Sequence, residues 1–336
     1  MRLMGLLLSL PIALAACGSP SATPARPSAL FQLHLGTPSA AAPSGIVPVT
    51  KYAGLYEKYG LDADVQVLNG APNLLAAMIS GQVPITYQGS PEVIRASLSG
   101  ADVVMFAGVI NTIFFSIYTR PDITDAAHLK GKRIGYTPAG NDEAGARVAM
   151  AKLGLKIPQD VTPVNMPPNQ AERIVALQNG SVDAISIAPP FTYQAKKQGF
   201  YELVNTGDLG VEFQSGTFAT SRPFLKDHRD VVVRFTRALS EGIKYYKTNR
   251  EGSLKALSDY TKSTDADELQ QSWELFAVKY APKVPHLTMP GLRYVMDNLI
   301  QDPAVKSRKP EDFVDESVIK QLEDEGFYRQ LWGNDL

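Results

Sequence analysis

Cysteine is almost missing from this chain: Cys17 is the single one in 336 residues. Its scarcity excludes intrachain disulfides, CxxC redox pairs and cysteine-built zinc sites together. Histidine is nearly as rare. His34, His128, His228 and His286 stand apart in sequence, so a metal site would need unrelated positions to converge, and none is expected. There is no G-x-x-x-x-G-K-[ST] phosphate loop, no G-x-S-x-G elbow and no H-E-x-x-H pair. The expectation is a protein without catalytic residues and without a cofactor. Charge of one sign is lacking too: 33 basic and 34 acidic side chains leave a formal charge of −1, with no long basic run. That balance argues against a nucleic-acid partner.

The apolar run Leu6 to Leu14 is too short to span a bilayer. With Arg2 before it and small residues after it, Met1 to Ala16 reads as a secretory leader. Leu14-Ala15-Ala16-Cys17 resembles the bacterial lipobox, which implies cleavage before Cys17 and acylation of its sulfur. Residues 17–28 then form the lipidated cysteine and a flexible Pro/Ser/Ala tether. The eleven residues Gly18 to Ser28 reach at most about 40 Å. The expected location is the outer face of a bacterial cell membrane, held by lipid.

What the chain has in quantity is apolar content, 44%, enough for two lobes with separate cores. The pattern turns on His128 to Leu155, which reads as strand, Pro/Gly loop and helix in quick succession. Such a unit aims helix-start N–H groups at the carboxyl end of a strand, where open α/β sheets bind ligands. It occurs twice. Leu35-Gly36-Thr37-Pro38 resembles Ile134-Gly135-Tyr136-Thr137-Pro138, and the two glycines are 99 residues apart; Gly81 and Gly180, and Pro91 and Pro190, keep the same offset.

Strands are expected near Leu30–Leu35, Asp64–Leu68, Pro84–Gln88, Val103–Val109 and Phe114–Thr119, with helices at Ile46–Tyr59, Asn73–Ser80 and Pro91–Ser99. In the second half, strands at Arg133–Tyr136, Val161–Asn165, Ala184–Ile187 and Glu202–Val204 alternate with helices near Asp142–Leu153, Gln170–Asn179 and Phe191–Gln198. Ser215–Thr220 reads as a strand returning to the first lobe. Helices follow at Asp230–Lys247, Asp265–Tyr280, Leu292–Leu299 and Glu316–Glu325, where Trp273, Phe276 and Tyr280 form a core stripe. The expected fold class is α/β, with lobe one over 29–119, lobe two over 120–214, and 215–336 returning to lobe one and adding the C-terminal helices.

Gly54-Leu55-Tyr56-Glu57-Lys58-Tyr59-Gly60-Leu61-Asp62, Ser80-Gly81-Gln82-Val83, Leu129-Lys130-Gly131-Lys132-Arg133-Ile134-Gly135 and Asn179-Gly180-Ser181-Val182-Asp183-Ala184 resemble the type II periplasmic binding proteins. The resemblance is to the group of nitrate, sulfonate, taurine, thiamin-pyrimidine and riboflavin receptors, and it covers about Leu30 to Gly199. It implies two lobes closing about a hinge, an ABC permease with its ATPase subunit as partner, and a monomeric receptor. Pro84 departs from the pattern, standing where the family usually has Asp. Enzymes on the same fold exist, but the leader and the missing cysteine-rich motif argue against them.

Four loops are expected to face the cleft: Gly36–Gly45, Tyr87–Glu92, Tyr136–Glu143 and Ile187–Thr192. None contains Lys or Arg. Candidate ligand-binding residues are Pro38, Ser39, Ser44, Tyr87, Gln88, Ser90, Glu92, Tyr136, Asn141, Asp142, Pro189 and Phe191. Phe114 and Phe115 stand where the first lobe hands over to the second, and His34 is the histidine placed nearest the cleft. Aromatic rings and first-turn acids without a cation favour a neutral or hydrogen-donating ligand, such as a flat heterocycle, over a sulfonate or nitrate.

Overall fold

Two five-stranded sheets carry the fold, and a computed structural model describes residues 29–138 and 140–336 of it. The leader, Cys17 and the tether lie outside the described residues. In chain order the strands are β1 Phe31–Thr37, β2 Leu61–Val67, β3 Ile85–Gln88, β4 Val103–Thr112, β5 Ser116–Thr119, β6 Arg133–Tyr136, β7 Thr162–Asn165, β8 Ala184–Ile187, β9 Tyr201–Asn205 and β10 Glu212–Ser221. The first sheet runs β2-β1-β3-β10-β4 and the second β7-β6-β8-β5-β9. In each, three parallel strands are followed by one antiparallel strand that has crossed from the other lobe.

The 99-residue offset reappears as pairing register. Leu35 faces Ile85 and Gly36 faces Thr86; 99 residues later, Ile134 faces Ala184 and Gly135 faces Ile185. Both glycines are required by close approach. A Cβ on Gly36 would lie 2.4 Å from Leu74 and 2.9 Å from Val83, and one on Gly135 would lie 2.9 Å from Met166, with Val182, the counterpart of Val83 at the same offset, next at 3.4 Å.

Helices α1 Ile46–Tyr52, α2 Leu55–Lys58, α3 Ala71–Ile79 and α4 Ser90–Leu98 cover the first sheet. The single helix expected over Ile46–Tyr59 is broken, because Gly54 adopts a left-handed φ of +67° and restarts the chain as α2. Around the second sheet lie α5 Ala126–Leu129, α6 Asn141–Lys152, α7 Gln170–Gln178 and α8 Phe191–Lys197. The C-terminal set is α9 Arg222–Asp227, α10 Arg229–Thr248, α11 Arg250–Thr261, α12 Ala266–Trp273, α13 Met289–Leu299, α14 Ser317–Asp324 and α15 Phe327–Trp332. The buried apolar residues of these helices join the first lobe's core, which also takes in Ala144, Val148 and Ala188 of the second lobe. Helix α10 buries Val231, Phe235, Ala238, Leu239 and Tyr246 at helical spacing, and Phe235 meets Phe218 edge-on at 5.1 Å. Tyr87 in turn meets Phe218 edge-on at 5.6 Å, so one aromatic chain joins the core to the interlobe face.

Three expectations need correction. Strand β5 belongs to the second sheet, paired with β8 and β9, so the first crossing falls at Ile113–Phe115 and not after Thr119. The return crossing spans 206–211, ahead of the expected residue 215. The helix expected over Asp265–Tyr280 rewinds at Glu274 as a π-helix to Tyr280. Within it Phe276 is buried, while Trp273 and Tyr280 are half-exposed. Lys247 Nζ donates to the Ala277, Val278 and Ala281 carbonyls at 2.9, 3.0 and 2.7 Å, supplying partners that the altered winding leaves open.

Candidate functional site

Each lobe contributes the loops at the carboxyl ends of its parallel strands, and the loops enclose a cavity of about 100 Å³ between the sheets. The first lobe supplies Pro38, Ser39, Ala41, Pro43 and Ser44 after β1, Gly70 and Ala71 after β2, and Tyr87, Gln88, Gly89 and Glu92 after β3. The second supplies Thr137, Gly140, Asn141 and Asp142 after β6, and Pro168, Gln170 and Arg173 after β7. Phe114 and Phe115, in the crossing segment, form one wall. Their rings stack at 4.9 Å, and Phe276 from the π-helix meets Phe114 edge-on at 5.1 Å. Ser39, Ala41, Pro168 and Gln170 also line an outer chamber of about 470 Å³, which Phe191 and Glu172 reach.

Eight of the twelve expected ligand residues therefore line the inner cavity: Pro38, Ser39, Ser44, Tyr87, Gln88, Glu92, Asn141 and Asp142. Phe191 lines only the outer chamber. Ser90, Tyr136 and Pro189 line neither. The hydroxyl of Ser90 is turned away, donating to the Gln214 carbonyl at 2.6 Å. Tyr136 ends β6 inside the second lobe's core, where a strand's alternation points it away from the cleft. Pro189 is buried, joined to Pro190 by a cis bond. His34 is exposed on the first sheet, hydrogen-bonded to Asp64 at 3.2 Å, and is neither buried nor at the cleft.

The expectation of a cleft without a cation is overturned by Arg173. Its side chain is 2% exposed, and it pairs with Asp142 at 2.7 Å. Nη1 donates to the Ser186 carbonyl at 2.8 Å, Nη2 to Thr137 Oγ1 at 2.6 Å, and Nε to the Pro167 carbonyl at 3.2 Å. Asp142 also accepts the N–H groups of Thr137, at 3.0 Å, and Glu143, at 3.2 Å. The first carboxylate thus takes up the guanidinium charge, one loop N–H and one donor of the α6 start.

Glu92 does the same at the other lip with less support. Its carboxylate accepts its own N–H and, across the cleft, that of Asn141. Burial away from water, reinforced by Asp142, pushes its carboxyl up to about 7, although Arg95 and the N–H groups pull the other way. Asn141 makes a second interlobe bond, its Nδ2 donating to the Ser215 carbonyl at 2.9 Å. Loop 37–44 is tied down by Tyr260, whose hydroxyl lies 2.7 Å from Thr37 Oγ1 and 3.0 Å from Ser44 Oγ.

Sequence reasoning missed the loops after β2 and β7. A usable signal existed, since the offset relating Gly36 to Gly135 carries Gly70 and Ala71 to Asn169 and Gln170, three residues short of Arg173. The offset also takes Pro84 to Asp183, whose carboxylate binds Arg133 Nε at 3.0 Å and Arg120 at 2.9 Å and anchors β8 in the second lobe. Proline leaves the first lobe without that anchor. Among the described residues no group of His, Cys, Asp and Glu is placed to hold a metal, and no helix is long and apolar enough to cross a membrane.

Two repeated lobes joined by crossing strands, with a cavity between their strand ends, are the two-lobed fold of the type II periplasmic binding proteins. The NMT1/THI5-like family model matches residues 45–252, and the chain belongs to that family. A Brucella abortus protein named as a binding protein is 26% identical over 232 residues, which cover 67% of this chain and 70% of its own. The periplasmic nitrate-binding protein NrtA of Synechocystis PCC 6803 is similar in structure with a TM-score of 0.74 at 16% identity, over 88% of this chain and 89% of its own. The alkanesulfonate-binding protein SsuA of Xanthomonas axonopodis pv. citri, bound to MOPS, gives 0.68 at 20% identity, over 88% and 98%. At such identities the two structures speak for the fold alone.

Proposed function

We propose that this protein is the lipid-anchored, non-enzymatic receptor of an ABC importer, closing its lobes on one small heterocycle and presenting it to the permease. A thiamin-type pyrimidine fits the inner cavity of about 100 Å³ better than a whole riboflavin, whose side chain would have to extend into the outer chamber. The supporting observation is the spending of donors. Three N–H groups at the starts of α4 and α6 that could hold an anion, those of Glu92, Asn141 and Glu143, already serve the carboxylates of Glu92 and Asp142, and Arg173 is neutralised by Asp142. The rings of Tyr87, Phe114 and Phe115 offer apolar contact. A sulfonate or nitrate receptor is the second reading, favoured by the names of the structural relatives.

Calorimetric titration separates the two. Pyrimidines or flavins should bind while taurine, alkanesulfonates and nitrate give no heat; tight binding of an anion with no response to heterocycles reverses the assignment. If heterocycles bind, Phe115→Ala should weaken them more than Lys132→Ala, since Lys132 lies before β6 and outside the cavity.

Anchoring rests on one sulfur. Cys17→Ser should block processing by the lipoprotein peptidase and remove the acyl chains that hold the mature protein at the membrane. Mass spectrometry of the membrane fraction reads this directly, and a normally processed, lipid-bearing Cys17→Ser protein would refute it.

A further inference from the structure

Three acceptor oxygens of cavity-lining side chains are buried and have no hydrogen-bond donor: Gln88 Oε1, Glu92 Oε2 and Asn141 Oδ1. Unpaired buried acceptors are costly, and three in one cavity mark places where a bound molecule supplies the donors. Their orientation is held by the opposite end of each group. Asn141 Nδ2 donates to the Ser215 carbonyl, Gln88 Nε2 donates to Thr86 Oγ1 at 2.9 Å, and the Glu92 carboxylate takes the Asn141 N–H. Glu92 Oε2 and Asn141 Oδ1, one from each lobe, both lie 2.4 Å from where a Cβ on Gly89 would stand, so the two acceptors converge at one point of the interlobe seam. Charge points the same way. Of the lining side chains, Arg173 and Asp142 cancel, and Glu92 adds a further negative charge, tempered by Arg95 of its own helix from outside the lining. The outer chamber adds Glu172 and no Lys or Arg.

We infer that the solute closed between the lobes is a planar nitrogen cation, an amidinium, a guanidinium or a protonated amino-heterocycle, whose N–H groups donate to Glu92, Asn141 and Gln88. This rests on the receptor reading and names its ligand class. The ligand's N–H fork replaces the missing donors, its charge answers the Glu92 carboxylate, and its flat face lies against Phe114 and Phe115. Because Glu92 and Asn141 come from opposite lobes, the same donors favour the closed state over the open one.

The test is calorimetric titration of the mature protein at pH 8 with methylguanidinium, 2-aminoimidazolium and benzamidinium, each beside an uncharged or anionic counterpart: benzamide, pyrimidine and benzenesulfonate. At least one cation should bind, with benzamide weaker than benzamidinium by roughly 100-fold. Glu92→Gln, which keeps the shape and removes the charge, should erase most of that preference while circular dichroism and thermal melting report an intact fold. An uncharged heterocycle that binds as well as or better than every cation overturns the inference and leaves the heterocycle receptor standing. Benzenesulfonate binding in place of the cations overturns both. No heat from any of the three cations also overturns the inference.

Discussion

Arg173→Met is expected to lower folding stability by about 3–5 kcal/mol, the usual cost of removing one partner from a buried ion pair. The guanidinium is 2% exposed and its loss strands several groups at once. Asp142 keeps its charge with only the Thr137 and Glu143 N–H groups for support, and the carbonyls of Pro167 and Ser186 lose their donor. Methionine fills much of the volume, so the effect reports electrostatics and hydrogen bonding more than a cavity. Urea unfolding of the ligand-free protein measures it. Adding Asp142→Asn should recover part of the loss, and the coupling between the two positions should exceed about 1 kcal/mol. A single-variant cost below about 1 kcal/mol would show that the arginine does not hold this lip together.

The second large effect is a pH dependence centred on Glu92. Four polar or charged groups face its carboxyl: Tyr87 from β3, Arg95 on its own helix, and Asn141 and Asp142 from the second lobe. Burial is the main cause of the rise to about 7 from an ordinary 4.5. The folded protein thus retains a proton that the unfolded chain releases between these values. Stability falls as pH rises across that window; the penalty is absent below about 4.5 and complete above about 7. Its size is on the order of 3 kcal/mol. Glu92→Gln should remove it, leaving a variant more stable than the parent at pH 8 and similar to it at pH 4.5. Thermal melting of both proteins across this range, compared as a difference, cancels the contributions of other carboxylates. Parallel curves would refute the assignment.

The alternation of strands and helices was legible because most strands are marked off by Gly or Pro, and because the second lobe restates the first at a fixed offset. Arg133–Tyr136 and Ala184–Ile187 have the expected bounds for this reason. The affiliation of β5 was not legible: Ser116–Thr119 follows the first lobe in sequence, and only its pairing with β8 and β9 places it in the second sheet. Helix α11 was missed because its apolar anchors, Leu254, Ala256 and Leu257, are few and sit among charged and polar residues. In the site, residues on loops directly after β1, β3 and β6 could be read, since strand ends fix where a loop begins. Arg173 could not, because a charged residue on an amphipathic helix reads as solvated, and its burial depends on partners 6 to 36 residues away. Tyr136 misled through the opposite error: a residue adjacent to a cleft loop can still point into the core, since side-chain direction alternates along a strand.

The two crossings between the lobes are fastened to each other. Thr206 donates twice to the Phe115 carbonyl, from its N–H at 2.9 Å and its hydroxyl at 2.6 Å. Two separate ribbons would let the lobes twist, slide and swing. Pinned side by side, they act as a single axle, and the swing alone remains easy. In the proposed receptor the wall formed by Phe114 and Phe115 sits on that axle and would move least as the lobes part, while Pro168 and Gly70 at the rim would travel farthest. A solute can therefore settle on a surface that is the same in both states before the far edges meet over it.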